Sequence, residues 1–180
     1  MQKLTFNRKP ILFTLVVDTN NNEIATISYP MVTTTKSTLG TDSGRTGIWI
    51  GKKVLDGAII KTKEGTAALY RTYLTENQFL NNNYKVTLEI EGNEVFSCTQ
   101  HKNFSLYGPY LTFKIEHKEY LLKRVKLFPF KIKLTANDKD VGLFTNTHIF
   151  SVLPSITFEG FERLSDVNII YLYAILSRYF

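Results

Sequence analysis

At 180 residues and 20.7 kDa the chain is one domain's worth of protein (residues 1–180), which excludes an arrangement of several large domains. With 43% hydrophobic and 21% charged residues it is globular in composition, so a disordered or collagen-like polymer is excluded as well. A net charge of +6 and a pI near 9.3 favour acidic partners such as phosphates, nucleic acid or anionic lipid.

From the N-terminus, Lys3, Arg8 and Lys9 precede an apolar run at 11–17, an order that imitates a signal peptide. The run stops too soon, and Asp18 with three asparagines follows it where small residues would be needed for cleavage. A β-strand leading into a turn is the better reading. Residues 11–17 and 23–29 flank Asp18-Thr19-Asn20-Asn21-Asn22, in which asparagine tolerates the left-handed backbone of a tight reversal. Residues 33–47, crowded with Thr, Ser and Gly, predict a mobile loop. Within it, 40–46 nearly matches a phosphate-binding loop, but Leu39 stands where glycine is needed and Arg45 where lysine is needed. The strand-like Ile48-Trp49-Ile50 follows in place of the required helix, which argues against nucleotide binding.

Further candidate strands fall at 47–52, 58–63 and 67–74. Residues 84–90 and 94–100 form a hairpin around Glu91-Gly92-Asn93, where Gly92 can take a positive φ. Two more hairpins, 110–116 with 120–127 and 130–135 with 140–146, are followed by a strand at 155–159. The total is about twelve, in an antiparallel order. Cys98 shares its side of the strand with Phe96 and reads as a small buried hydrophobe; one cysteine also excludes a disulfide framework and fits a reducing compartment. The sequon at 103–105 carries no information without a secretion route.

The last segment changes character. Ser165 and Asp166 are good N-caps, and 167–180 contains neither Gly nor Pro, so a helix over 166–178 is predicted. At 100° per residue its apolar side chains fall all round the circumference, so the helix must be enclosed by protein or lipid. Fourteen residues rise only about 21 Å, too short for a membrane span. A closed barrel of about twelve strands has an interior wide enough to need filling. The expected fold is therefore mainly β: a closed antiparallel β-barrel around a buried hydrophobic C-terminal helix.

Three stretches carry a family resemblance: Phe13-Thr-Leu-Val-Val-Asp18 with Ile24-Ala-Thr-Ile27, Val86-Thr-Leu-Glu-Ile90 with Glu94-Val-Phe96, and the closing Asp166-Val-Asn-Ile-Ile-Tyr-Leu-Tyr-Ala-Ile-Leu176. In this order of hairpins and terminal helix the chain resembles the tubby C-terminal-like superfamily, which includes the LURP-one-related proteins and the phospholipid scramblases. The resemblance covers most of the chain and implies a helix threaded through the barrel, with phosphoinositide binding through basic residues as the associated activity. It assigns no residue of this chain to that ligand. The palmitoylated cysteine cluster of the scramblases has no counterpart in a chain with one cysteine.

The histidines at 101, 117 and 148 have no metal-ligand spacing, and no nucleophile or carboxylate-pair motif is present. The expectation is a non-enzymatic binding or scaffold domain without metal or cofactor, cytoplasmic and able to associate with a membrane surface. The most informative charge feature lies between Lys114 and Lys133, where seven basic residues meet two glutamates. If Phe128-Pro129 closes a tight hairpin, Lys126 faces Lys131 and Arg124 faces Lys133 on one outward face, a like-charge arrangement that an anion would relieve. Arg124, Lys126, Lys131 and Lys133 are thus the candidate anion or lipid headgroup site, set against a simpler role for strand lysines in blocking aggregation. The alternatives are an apolar-ligand barrel, which requires the helix to pack outside, a nucleic-acid module, which lacks an obvious stacking platform, and a protein-interaction module of unknown partner.

Overall fold

The computed structural model describes residues 2–10, 13–29, 53–74, 83–101, 108–127, 130–146 and 155–179. Twelve strands run in chain order: β1 (Gln2–Lys9), β2 (Phe13–Val17), β3 (Glu23–Ser28), β4 (Lys53–Thr62), β5 (Gly65–Tyr73), β6 (Tyr84–Ile90), β7 (Asn93–His101), β8 (Tyr110–Ile115), β9 (Lys118–Lys126), β10 (Lys131–Ala136), β11 (Lys139–Asn146) and β12 (Ile156–Gly160). Each pairs antiparallel with its neighbours in sequence, and β1 pairs with β12 to close the barrel. One helix, α1 (Asp166–Tyr179), follows.

The closing strand is the one that its charges disguise. Lys3, Arg8 and Lys9 read as a basic flank, yet Leu4 and Phe6 are fully buried and alternate with outward-facing neighbours, so the segment has the period of a half-buried strand. The expected strand at 47–52, the loop at 33–47 with its phosphate-loop imitation, the sequon, Phe128-Pro129 and His148 lie outside the described residues.

The inward faces of the strands and residues 169–176 of the helix make one core. Residues 169–176 are eight in succession, more than two full turns, and none is more than 4% exposed. Every face of the helix is therefore covered. Tyr173 stacks on Phe6 of β1 with ring centroids 3.9 Å apart, while Tyr171 lies 6.1 Å from Phe96 of β7. In a ring of twelve strands β1 and β7 are six apart, on opposite walls, so the helix occupies the barrel interior. This is the outcome that the all-round apolar run required.

Two polar clamps hold the helix along the barrel axis. At its start, the Gln2 amide donates to the Leu164 carbonyl at 2.7 Å and accepts from the Leu164 N–H at 3.1 Å, while the Ile169 N–H donates to the Ser165 carbonyl at 3.2 Å. At its far end the Ser177 hydroxyl donates to the Ala174 carbonyl at 2.8 Å and bonds the Tyr29 hydroxyl just past β3. Gly142 of β11 shows how closely the core is fitted, since a Cβ there would stand 2.4 Å from the Phe158 ring. Cys98 is buried, and burial raises its thiol pKa, so it behaves as the small apolar residue that its position implied.

Candidate functional site: the basic rim

An up-and-down barrel sends alternate connections to opposite ends. The turns at 18–22, 63–64, 91–92, 116–117 and 137–138, together with the start of the helix, gather at one rim. These are tight reversals, with positive φ at Asn21, Glu91, Gly92, Glu116, Asn137 and Asp138, and they draw on the short polar and acidic residues that such turns accept. Among the described residues, the half of the barrel nearer this rim holds thirteen carboxylates, among them Asp18, Glu64, Glu91, Glu116, Asp138 and Glu162, against seven basic side chains, a net of −6. The other half reverses the sign. Apart from Lys53 and Asp56 of β4, its described residues include ten basic side chains and no carboxylate. They are Arg8, Lys9, Arg71, Lys85, Lys123, Arg124, Lys126, Lys131, Lys133 and Arg178. Arg178, in the last turn of the helix, also matches the sign of the helix dipole there.

The four residues singled out from sequence all lie in this half, but the structure does not keep them together. Lys126 stands opposite Lys131, as expected. The next step differs, because the pairing slips by one residue: Ile132 faces Arg124, Lys133 faces Lys123, and Val125 is left without a partner as a β-bulge. Cross-strand partners share a face, and Ile132 is fully buried, so Arg124 turns toward the end of the core and not onto the outer strip. Its guanidinium lies 5.1 Å from the centre of the Phe130 ring, and burial lowers its pKa. The expected opposition of Arg124 and Lys133 is therefore corrected to Lys123 and Lys133. A one-residue bulge exchanges faces, and nothing in the local alternation announces it.

The outward strip is accordingly Lys123, Lys126, Lys131 and Lys133, two like-charge pairs on adjacent strands. Asp140 relieves part of it with an ion pair to Lys133 at 2.7 Å. In the acidic half Lys114 bridges Glu119 at 2.6 Å and Lys118 bridges Glu162 at 3.4 Å, and Lys85 of the basic half reaches Glu94 at 2.9 Å, while Glu94 also stands opposite Glu89. Asp18 accepts from the backbone N–H groups of Asn20 and Asn22 at 2.8 and 2.9 Å. Hydrogen bonds from Asn22, first its side chain and then its backbone, hold the Asp18 carboxyl below its ordinary range. Lys114 does the same for Glu119, by hydrogen bond and charge.

His101 stacks on Tyr110, with centroids 4.6 Å apart, and shares a 2.7 Å hydrogen bond with the Thr112 hydroxyl; burial lowers its pKa. His117 is exposed in the β8–β9 turn. Among the described residues no three His, Cys, Asp or Glu side chains are grouped to hold a metal ion, and no helix is long and apolar enough to cross a membrane. A groove of about 900 Å³ lies on the outer wall where β7 and β8 share three opposed pairs and then part, with buried Cys98 and Phe113 at its floor. Of its charged lining, Lys114 and Glu119 bridge each other and Lys85 bridges Glu94. The space in which an apolar-ligand barrel would hold its ligand is filled by residues 169–176.

No family model, curated protein or solved structure matches the chain.

Proposed function

We propose that this chain is a tubby-like, non-enzymatic docking domain that binds anionic phospholipid headgroups, phosphoinositides included, through its basic rim at the cytoplasmic face of a membrane. The observation that carries the reading is the separation of charge among the described residues, −6 in one half of the barrel against +10 in the other. Such a distribution orients a protein before contact, with the basic end toward an anionic surface. Each basic residue near that surface contributes about 1 kcal/mol, so the four strip lysines supply roughly 4 kcal/mol toward reversible attachment. The barrel around a C-terminal helix is the arrangement that the family resemblance implies, and it supports the same class of ligand.

The test is co-sedimentation with phosphatidylcholine vesicles, with and without phosphatidylserine or a phosphoinositide, at low and physiological salt. Binding to the anionic vesicles alone, weakened by salt and lost on replacing Lys123, Lys126, Lys131 and Lys133 by Gln, is expected. Equal binding to neutral vesicles, or binding to single-stranded nucleic acid in place of vesicles, overturns the reading.

A further inference from the structure

The strand pairing contains two bulges of one kind at opposite ends of the molecule. Between β6 and β7 the register passes from Leu88 opposite Phe96 to Glu89 opposite Glu94, which leaves Val95 without a partner. Between β9 and β10 it passes from Ile132 opposite Arg124 to Lys131 opposite Lys126, which leaves Val125. Both valines are thrown outward, and each is 43% exposed. A single exposed valine is ordinary. Their surroundings differ: Val95 sits next to Glu94 and near Glu91 at the acidic rim, whereas Val125 sits between Arg124 and Lys126 with Lys131 across the strand pair.

Val125 is also not alone. Leu127, two residues further along the chain, is 45% exposed, and Leu74 at the end of β5 is exposed to the same degree at the same rim. Among the described residues, three of the five exposed large hydrophobic side chains thus lie among the basic residues. Lysines interleaved with apolar side chains match a lipid–water interface in both respects: the ammonium groups meet phosphate while the apolar groups between them pass below the headgroups.

We propose that Val125 and Leu127 insert into the interfacial layer of an anionic bilayer, and that the β9 bulge serves to present Val125 there. The proposal rests on the docking reading above and narrows it. Charge alone holds a protein at the headgroup surface and weakens with salt, whereas inserted side chains add attachment that salt does not screen. The bulge produces both features of the site in one step, since the slip that turns Arg124 toward Phe130 is the slip that exposes Val125.

Val95 supplies the internal control. Val125→Cys, Leu127→Cys and Val95→Cys are each labelled with an environment-sensitive fluorophore; Cys98 is buried and stays unlabelled. On phosphatidylcholine vesicles containing phosphatidylserine, the labels at 125 and 127 are expected to shift to the blue and to be quenched by lipids carrying a quencher in the acyl chain, while the label at 95 does neither. In parallel, Val125→Ser with Leu127→Ser weakens sedimentation about tenfold, by the same factor at low and physiological salt. Salt-sensitive sedimentation that depends on the four lysines, with no shift at 125 or 127 and no loss in the serine variant, overturns the insertion and leaves the docking reading standing. No sedimentation of the unsubstituted protein under any condition overturns both.

Discussion

The two rims of this barrel carry surplus charge of opposite sign. At the turn rim several acidic residues are answered locally, Asp18 by Asn20 and Asn22, Glu119 by Lys114, Glu162 by Lys118, while Glu89 and Glu94 stand opposite each other. At the other rim like charges face each other directly, Lys126 with Lys131 and Lys123 with Lys133. Asp140 pairs with Lys133 and relieves one of these oppositions, and the facing Lys126 and Lys131 keep a repulsion that an anion would remove. Opposed like charges occur at both rims, so what sets the basic rim apart is the surplus around them, ten basic side chains among the described residues. The exposed bulge residues repeat the contrast, with Val95 among carboxylates and Val125 among lysines.

The difference between the rims depends on the helix that spans them, and removing it has the largest expected effect. A chain ending at Gly160 loses the core formed by residues 169–176 and both clamps, Gln2 with Leu164 and Tyr29 with Ser177. It should lose cooperative unfolding and aggregate, as followed by calorimetry and gel filtration. A monomeric product with an unchanged melt contradicts an interior helix.

A smaller change probes the same core by pH. Burial pushes the Tyr173 hydroxyl up to about 12 from its ordinary value of 10.0. The folded state thus holds this proton more tightly than the unfolded chain, and the contribution is intact below pH 10 and lost as pH rises toward 12. The full loss is about 2 to 3 kcal/mol. Chemical denaturation of the protein and of Tyr173→Phe should diverge across that window, with the Phe variant showing the flatter alkaline limb.

The smallest effect sharpens the comparison of the rims themselves. Lys131→Glu replaces a like-charge pair with an opposite-charge one across from Lys126, the pattern that Lys114 and Glu119 already show at the turn rim. Stability should rise by about 0.5 kcal/mol while attachment to anionic vesicles weakens. If stability falls, the opposed lysines are not repelling each other as described.

The sequence made the strands and helix legible wherever one physical signal dominated. Alternation marked eleven segments, and apolarity on every face marked the helix. β1 escaped because Lys3, Arg8 and Lys9 drew attention from the buried Leu4 and Phe6 between them. The basic site was legible in part. Lys126, Lys131 and Lys133 follow from alternation, but the exchange of Arg124 for Lys123 depends on a bulge that only the pairing reveals. The charged stretch from 114 to 133 also mixes both ends of the molecule, with Lys114 and Lys118 at the acidic rim and Lys123 onward at the basic one. Counting charge along the chain cannot separate them. Assigning each turn to its rim could have done so, since connections in an up-and-down barrel alternate ends.

The central claim, that the basic rim faces the membrane and the acidic rim faces away, is tested most directly by energy transfer from each rim to acceptors in an anionic bilayer. Pro10→Cys places a donor at the β1–β2 connection on the basic rim, and Asn20→Cys places one in the β2–β3 turn on the acidic rim; both positions are exposed. On phosphatidylserine-containing vesicles the account predicts efficient transfer from position 10 and weak transfer from position 20. Equal transfer from the two positions, or stronger transfer from position 20, would contradict it.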